Sequence, residues 1–127
     1  MSIISTFNNQ MIEFCNELEK LNINNIGISK SKLILIKKIN PKKIIEIFIE
    51  NIYPYKDKII EQQLDFFNNI NIKEHDNNYM IFNNIKTHWN EYSDITKDNI
   101  WLYMNLFVKL CDNYIELNKN IYKQKFI

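Results

Sequence analysis

This chain predicts an all-α fold: a compact single-domain bundle of five or six helices over residues 1–127. Three observations carry that expectation. Apolar residues recur at helical spacing along most of the chain. The single Gly (Gly27) and the two Pro (Pro41, Pro54) fall between the periodic runs, where they punctuate helices rather than break them. A hydrophobic fraction of 46% with a formal net charge of +1 exceeds what a disordered chain carries, so a core can form.

Phe7, Met11, Phe14, Cys15, Leu18 and Leu21 recur at i, i+4, i+7, i+8, i+11 and i+14, one stripe of a first helix that starts near Ser5 or Thr6. The Asn-rich segment Asn22 to Gly27 stops it. Ser29 or Ser31 can cap a short second helix through Ile39, although the run Leu33-Ile34-Leu35-Ile36 fits a buried strand equally well. Asn40-Pro41 then reads as an N-cap followed by Pro at the first helical position. The helix over Pro41–Ile52 places Ile44, Ile45, Ile47, Phe48, Ile49 and Ile52 against a strip of only Lys42, Lys43, Glu46 and Glu50. So wide an apolar face belongs at the centre of the bundle.

Tyr53-Pro54 ends that helix, because the residue before Pro is pushed out of helical geometry. A fourth helix is expected from about Lys56 to Phe67, with Ile59, Ile60, Leu64 and Phe67 facing inward. Asn68 to Asn78 reads as an exposed loop, and Tyr79 to Asn90 as a fifth helix with Ile81, Ile85 and Trp89 on one face. Ser93, Asp94 and Thr96 offer caps for a long last helix over about Thr96 to Asn118. Its polar strip is only Asn105, Lys109, Asp112, Asn113 and Glu116, so either it lies at the centre or part of its apolar face meets a partner. Residues 118–127 form a mixed tail that is expected to fray.

Composition removes whole classes of chemistry. The chain has 25 Ile, 21 Asn and 16 Lys, with no Ala and no Arg, the skew of an A/T-rich genome. Without Arg there is no bidentate guanidinium fork, and one Gly excludes a glycine-rich phosphate loop. No stretch reaches the ~18 apolar residues of a membrane span, and the N-terminus lacks the basic and apolar regions of a signal peptide. Cys15 and Cys111 occupy apolar helical positions and are expected as reduced, buried thiols of an intracellular protein, with a disulfide between them as the alternative.

Catalytic candidates are thin. Nucleophilic chemistry needs Cys15 or Cys111 beside His75 or His88 with an orienting third group, and no local spacing supplies one. Glu74, His75 and Asp76 are adjacent in sequence, an arrangement that rarely converges on one metal ion. No catalytic residue, metal site or cofactor is therefore expected.

Two binding surfaces stand out instead. Tyr53, Tyr55, Phe66 and Phe67 make an aromatic corner, for which core packing is the default and partner binding the sharper alternative; Trp101 joins them as a candidate anchor. Residues 20–45 hold seven Lys and no acid, while the other nine Lys face all 15 acids, so the remainder of the chain stands near −6. That segment is the alternative, nucleic-acid-binding candidate through Lys30, Lys32, Lys37, Lys38, Lys42 and Lys43, against a default reading as a solvated face.

The order of several short pieces also resembles a known group. These are Thr6-Phe7-Asn8 leading to Phe14 and Leu18, Asn40-Pro41-Lys42-Lys43 leading to Phe48, and Tyr53-Pro54-Tyr55-Lys56-Asp57. Asp65-Phe66-Phe67, Trp89-Asn90 and Ile100-Trp101-Leu102-Tyr103 leading to Leu106 complete the set. The chain resembles small proteins encoded by giant DNA viruses of eukaryotes, the mimivirus-like and phycodnavirus-like viruses. The resemblance implies a viral, intracellular, helical protein and carries no activity or catalytic residue. Together these readings point to a non-enzymatic interaction or structural protein whose partner is another protein, a second copy of the chain among the candidates, found in the host cytoplasm, the viral factory or the virion.

Overall fold

The computed structural model describes residues 2–21, 30–66 and 80–119. Six α-helices and no strand occur among them: α1 (Ile3–Glu19), α2 (Lys30–Ile39), α3 (Lys43–Asn51), α4 (Lys56–Ile60), α5 (Met80–His88) and α6 (Asp94–Leu117). Short 3-10 turns at Tyr53–Tyr55 and Trp89–Glu91 join α3 to α4 and α5 to α6. The fold class is all-α, and residues 33–36 are helical rather than a strand. Gly27, Ser29, Phe67, the 68–78 loop with Glu74, His75 and Asp76, and the end of the tail from 120 lie outside the described residues.

Local chemistry accounts for most boundaries. α1 begins earlier than its apolar stripe suggests, because Ser2 in extended geometry accepts the Ser5 N–H at 3.0 Å. Ser93 does the same for α6, accepting the Thr96 N–H at 3.2 Å. α3 departs from expectation. It starts at Lys43, with no side-chain cap, and Asn40 contributes its backbone carbonyl to the Lys43 N–H at 3.1 Å. The reason is tertiary: the Pro41 carbonyl accepts the Asn8 side-chain amide at 2.9 Å, which holds Pro41 in the turn.

α4 also corrects the expectation of a helix to Phe67. It stops at Ile60, where the Gln63 N–H reaches the Lys58 carbonyl at 2.8 Å and the Gln62 N–H reaches the Ile59 carbonyl at 3.1 Å. This is a Schellman stop with Gln62 at φ 56°, a position that favours Gly and is filled by Gln in a chain with one Gly. The break removes the helical phase on which the inward face of residues 60–67 depends. Ile59 is buried as expected, whereas Ile60 and Leu64 face solvent instead of the core.

The core is one contiguous cluster, and its centre is aromatic. Phe7 of α1, Phe48 of α3 and Phe107 of α6 are all fully buried and meet pairwise, with centroids 5.4, 5.2 and 5.7 Å apart. Phe82 of α5 stacks edge-on against Phe48 at 6.2 Å, and Phe14 against Phe107 at 5.6 Å. Ile44, Ile45, Ile47, Ile49 and Ile52 fill the space around Phe48, which puts α3 at the centre with α6. A second aromatic group, Trp89 edge-on to Trp101 at 5.6 Å and to Tyr92 at 6.1 Å, closes the α5–α6 corner.

Phe107 packs against Phe7, Phe14, Phe48 and Tyr103 together, so truncating it tests the architecture. Phe107→Ala is expected to lower stability by about 3–5 kcal/mol in a urea titration, while Leu117→Ala at an exposed site stays within about 0.5 kcal/mol. Equal effects for the two would contradict the packing described.

Candidate functional site

The packing of α1 against α6 leaves a groove open along one side. Phe14 stacks on Tyr103 at 4.9 Å and Leu18 and Ile100 are buried beside them, which makes an apolar floor. Above it lies a hollow of about 270 Å³ lined by Phe14, Glu17, Leu18, Leu21, Thr96, Asn99, Ile100 and Tyr103. A second hollow of about 200 Å³ shares Asn99 and Tyr103 and continues toward Gln10, Leu102 and Leu106. Bulky side chains meet here with no Ala or Gly among them, so the two helices cannot close on each other.

The rim carries apolar surface into water. Leu102 is 67% exposed at the groove edge, Ile95 is 74% exposed beside Thr96, and Leu21 is exposed at the α1 end. Leu117 is 75% exposed further along the outer side of α6. The polar part of the lining is Glu17 with the neutral Gln10, Thr96 and Asn99, and Glu13 lies near Tyr103. Glu13 and Glu17 both push the Tyr103 hydroxyl above its usual range, although partial burial of the ring is the larger cause. Glu17 also pairs with Lys20 at 3.4 Å, an exposed contact that contributes little.

The structure places the sequence candidates differently. Tyr53, Phe66 and Trp101 are buried in the core, and Tyr55 is half-buried with its ring 6.1 Å from Phe66. The described part of the aromatic corner is therefore core packing, and Trp101 faces inward because the inward side of α6 also carries Ile100, Met104 and Val108. Tyr53 donates a hydrogen bond to Asp112, and the Lys56 ammonium lies 3.3 Å from the Tyr53 hydroxyl and 3.8 Å from the Asp112 carboxylate. Burial, then the Asp112 bond, pushes the Tyr53 hydroxyl far up, so this cluster ties the α3–α4 turn to α6 as a neutral phenol and an ion pair. Lys58 and Asp65 at 2.6 Å fasten the chain after α4 in the same region.

Of the lysines, Lys37 donates to Asn9 at 2.6 Å and so joins α2 to α1. Lys38, Lys42 and Lys43 are exposed around the α2–α3 turn, and the side chains of Lys30 and Lys32 lie outside the described ones. Spacing does not single out Asn8, yet it is buried, with its amide on Pro41 and its carbonyl oxygen without a hydrogen-bond partner among the described residues. An Asn within an apolar stripe is the only signal that could have marked it.

Cys15 and Cys111 are free and fully buried. Burial, with Glu19 as a minor contributor, pushes the Cys15 thiol up to about 12, and burial with Asp112 pushes Cys111 higher. Both are held as neutral thiols, the opposite of an activated nucleophile. Among the described residues no group of three His, Cys, Asp or Glu side chains is placed to hold a metal ion, and no helix is long and apolar enough to cross a membrane. His88 bonds to Glu91 at the end of α5.

An all-α bundle with an open α1–α6 groove is the class that fold and site define. Comparison with protein-family models, with curated proteins and with solved structures finds no match.

The buried thiols set an alkaline limit. The Cys15 value rises on folding from 9.0 to about 12, so the folded state holds a proton that the unfolded state releases. Its stability contribution is full below pH 9.0 and is lost as pH rises toward 12. Urea titrations across pH are expected to show stability falling from about pH 9, and Cys15→Val to make that fall shallower while Cys111 still sets its onset. An unchanged profile in the variant would contradict this assignment.

Proposed function

We propose that this chain is a non-enzymatic interaction protein that associates with itself through the α1–α6 groove and the apolar rim beside it. The observation that carries this reading is Leu102 and Ile95, large aliphatic side chains held mostly in water next to a ready-made hollow. Solvated aliphatic surface at a concave site is what a partner's side chains remove from water. The absence of a nucleophile–base pair among the described residues and the neutral buried thiols support a binding role over a reaction. The resemblance to giant-virus proteins supports a viral, intracellular setting, with the protein acting as a structural or assembly component.

The nucleic-acid reading retains one favourable observation, the exposed Lys38, Lys42 and Lys43 around the α2–α3 turn. Lys37 is engaged by Asn9, and exposed Leu35 and Ile39 stand among these lysines where a phosphate-tracking face would be polar. Self-association is therefore preferred.

Light scattering tests the reading directly. The expected result is a mass that rises with protein concentration. Leu102→Glu is expected to return the mass to that of the monomer with an unchanged far-UV spectrum. A wild-type monomer at every concentration would overturn the proposal.

A further inference from the structure

The groove has a complement on the same molecule. On the outer side of α2, Leu35 and Ile39 stand one helical turn apart, 57% and 76% exposed. Lys38 lies between them in sequence, and Lys42 and Lys43 follow in the turn to α3, all exposed. This is a short amphipathic surface of two aliphatic knobs in a basic frame. The groove offers the reverse: an aliphatic and aromatic floor with the exposed carboxylate Glu17 in its lining and exposed Glu13 one turn earlier on α1, near Tyr103.

Size agrees as well as chemistry. From Gln10 to Leu18 the α1 wall of the groove runs about 12 Å, and Leu35 to Ile39 span about 6 Å, so both aliphatic side chains fit along it. Within one molecule the two surfaces cannot meet, because α2 lies against the Asn9 side of α1 while the groove opens beyond Gln10 and Phe14. We propose that the groove of one copy receives the outer face of α2 from a second copy, head to tail, with Leu35 and Ile39 on the apolar floor and Lys38 and Lys42 facing Glu13 and Glu17.

Charge selects this pairing over a symmetric one. Seven Lys and no acid lie in residues 20–45 and the remainder stands near −6; of these groups, exposed Lys38 and Lys42 frame the α2 face, while Glu13 and Glu17 stand beside the groove. Groove against groove sets Glu13 and Glu17 against carboxylates of their own kind, and α2 against α2 sets lysines together. Unlike charges attract and like charges repel, which fixes partner and orientation. A heterologous contact does not close on itself at two copies, so it continues into larger assemblies unless a ring forms. The inference rests on the self-association proposed above and names the surface that fills the groove.

The test mixes two blocked variants. Glu17→Lys with Leu102→Lys blocks the groove, and Leu35→Ser with Ile39→Ser removes the aliphatic knobs of the α2 face without adding charge. Wild type is expected to grow in mass with concentration, and to shrink in high salt. Each variant alone is expected to scatter as a monomer of 15.5 kDa. Their equimolar mixture is expected to recover a dimer and nothing larger, because one intact groove then meets one intact α2 face. If the α2 substitutions lower the melting temperature, Lys38→Gln with Lys42→Gln replaces them, since it touches no apolar contact and should weaken association about tenfold or more. Association that survives every α2 variant but not the groove variant overturns this inference and leaves the self-association proposal standing. Monomeric variants whose mixture stays monomeric also overturn it. A wild type that never associates overturns both.

Discussion

Phe107 meeting Phe7 and Phe48 is the contact on which the rest of the architecture depends. Three helices far apart in sequence each commit one fully buried ring to the same point, and Phe14 and Phe82 extend the cluster outward. Ring pairs of this kind contribute about 0.5–1.5 kcal/mol each beyond the area they bury, and they also have preferred angles. That geometry fixes how α1 lies on α6. Asn8, one residue beyond Phe7, then hydrogen-bonds Pro41 and sets where the α2–α3 corner sits against α1.

The groove is a consequence of the same contact and of composition. Phe7 near the start of α1 meets Phe107 in the middle of α6, and the groove lies beyond that contact, over Phe14, Leu18, Ile100 and Tyr103. Close approach of helices there would need small side chains, and the chain has no Ala and a single Gly. A chain so poor in small residues leaves both a hollow and aliphatic surface around it. The same shortage explains Gln62 in a left-handed turn that Gly would fill without strain.

Helix identity is readable from the residues because it depends on local spacing and caps. The stripe from Phe7 to Leu18, the wide apolar face of α3 and the Ser93 cap of α6 are all in the sequence and all in the fold. The departures are decided at long range. Pro41 is pulled into a turn by Asn8, thirty-three residues away in the chain, and no local rule anticipates that bond. Trp101 and Leu102 are neighbours on one helix, both apolar, yet one faces the core and the other faces water. Spacing shows that α6 has surplus apolar surface, but choosing which residues are surplus requires knowing where α1 lies. For that reason the aromatic corner stands out in the sequence, whereas Leu102, Ile95 and Leu21 emerge only from the packing.

Isoleucine and leucine methyl groups report on both the core and the groove, and a dilution series of methyl NMR spectra reads them separately. The account predicts that Leu21, Leu102, Ile95, Leu35 and Ile39 shift as the protein is diluted, while the buried Ile44, Ile45 and Ile59 stay in place. Spectra that do not change with concentration, or shifts confined to Ile60 and Leu64 on the far side of α4, would contradict it.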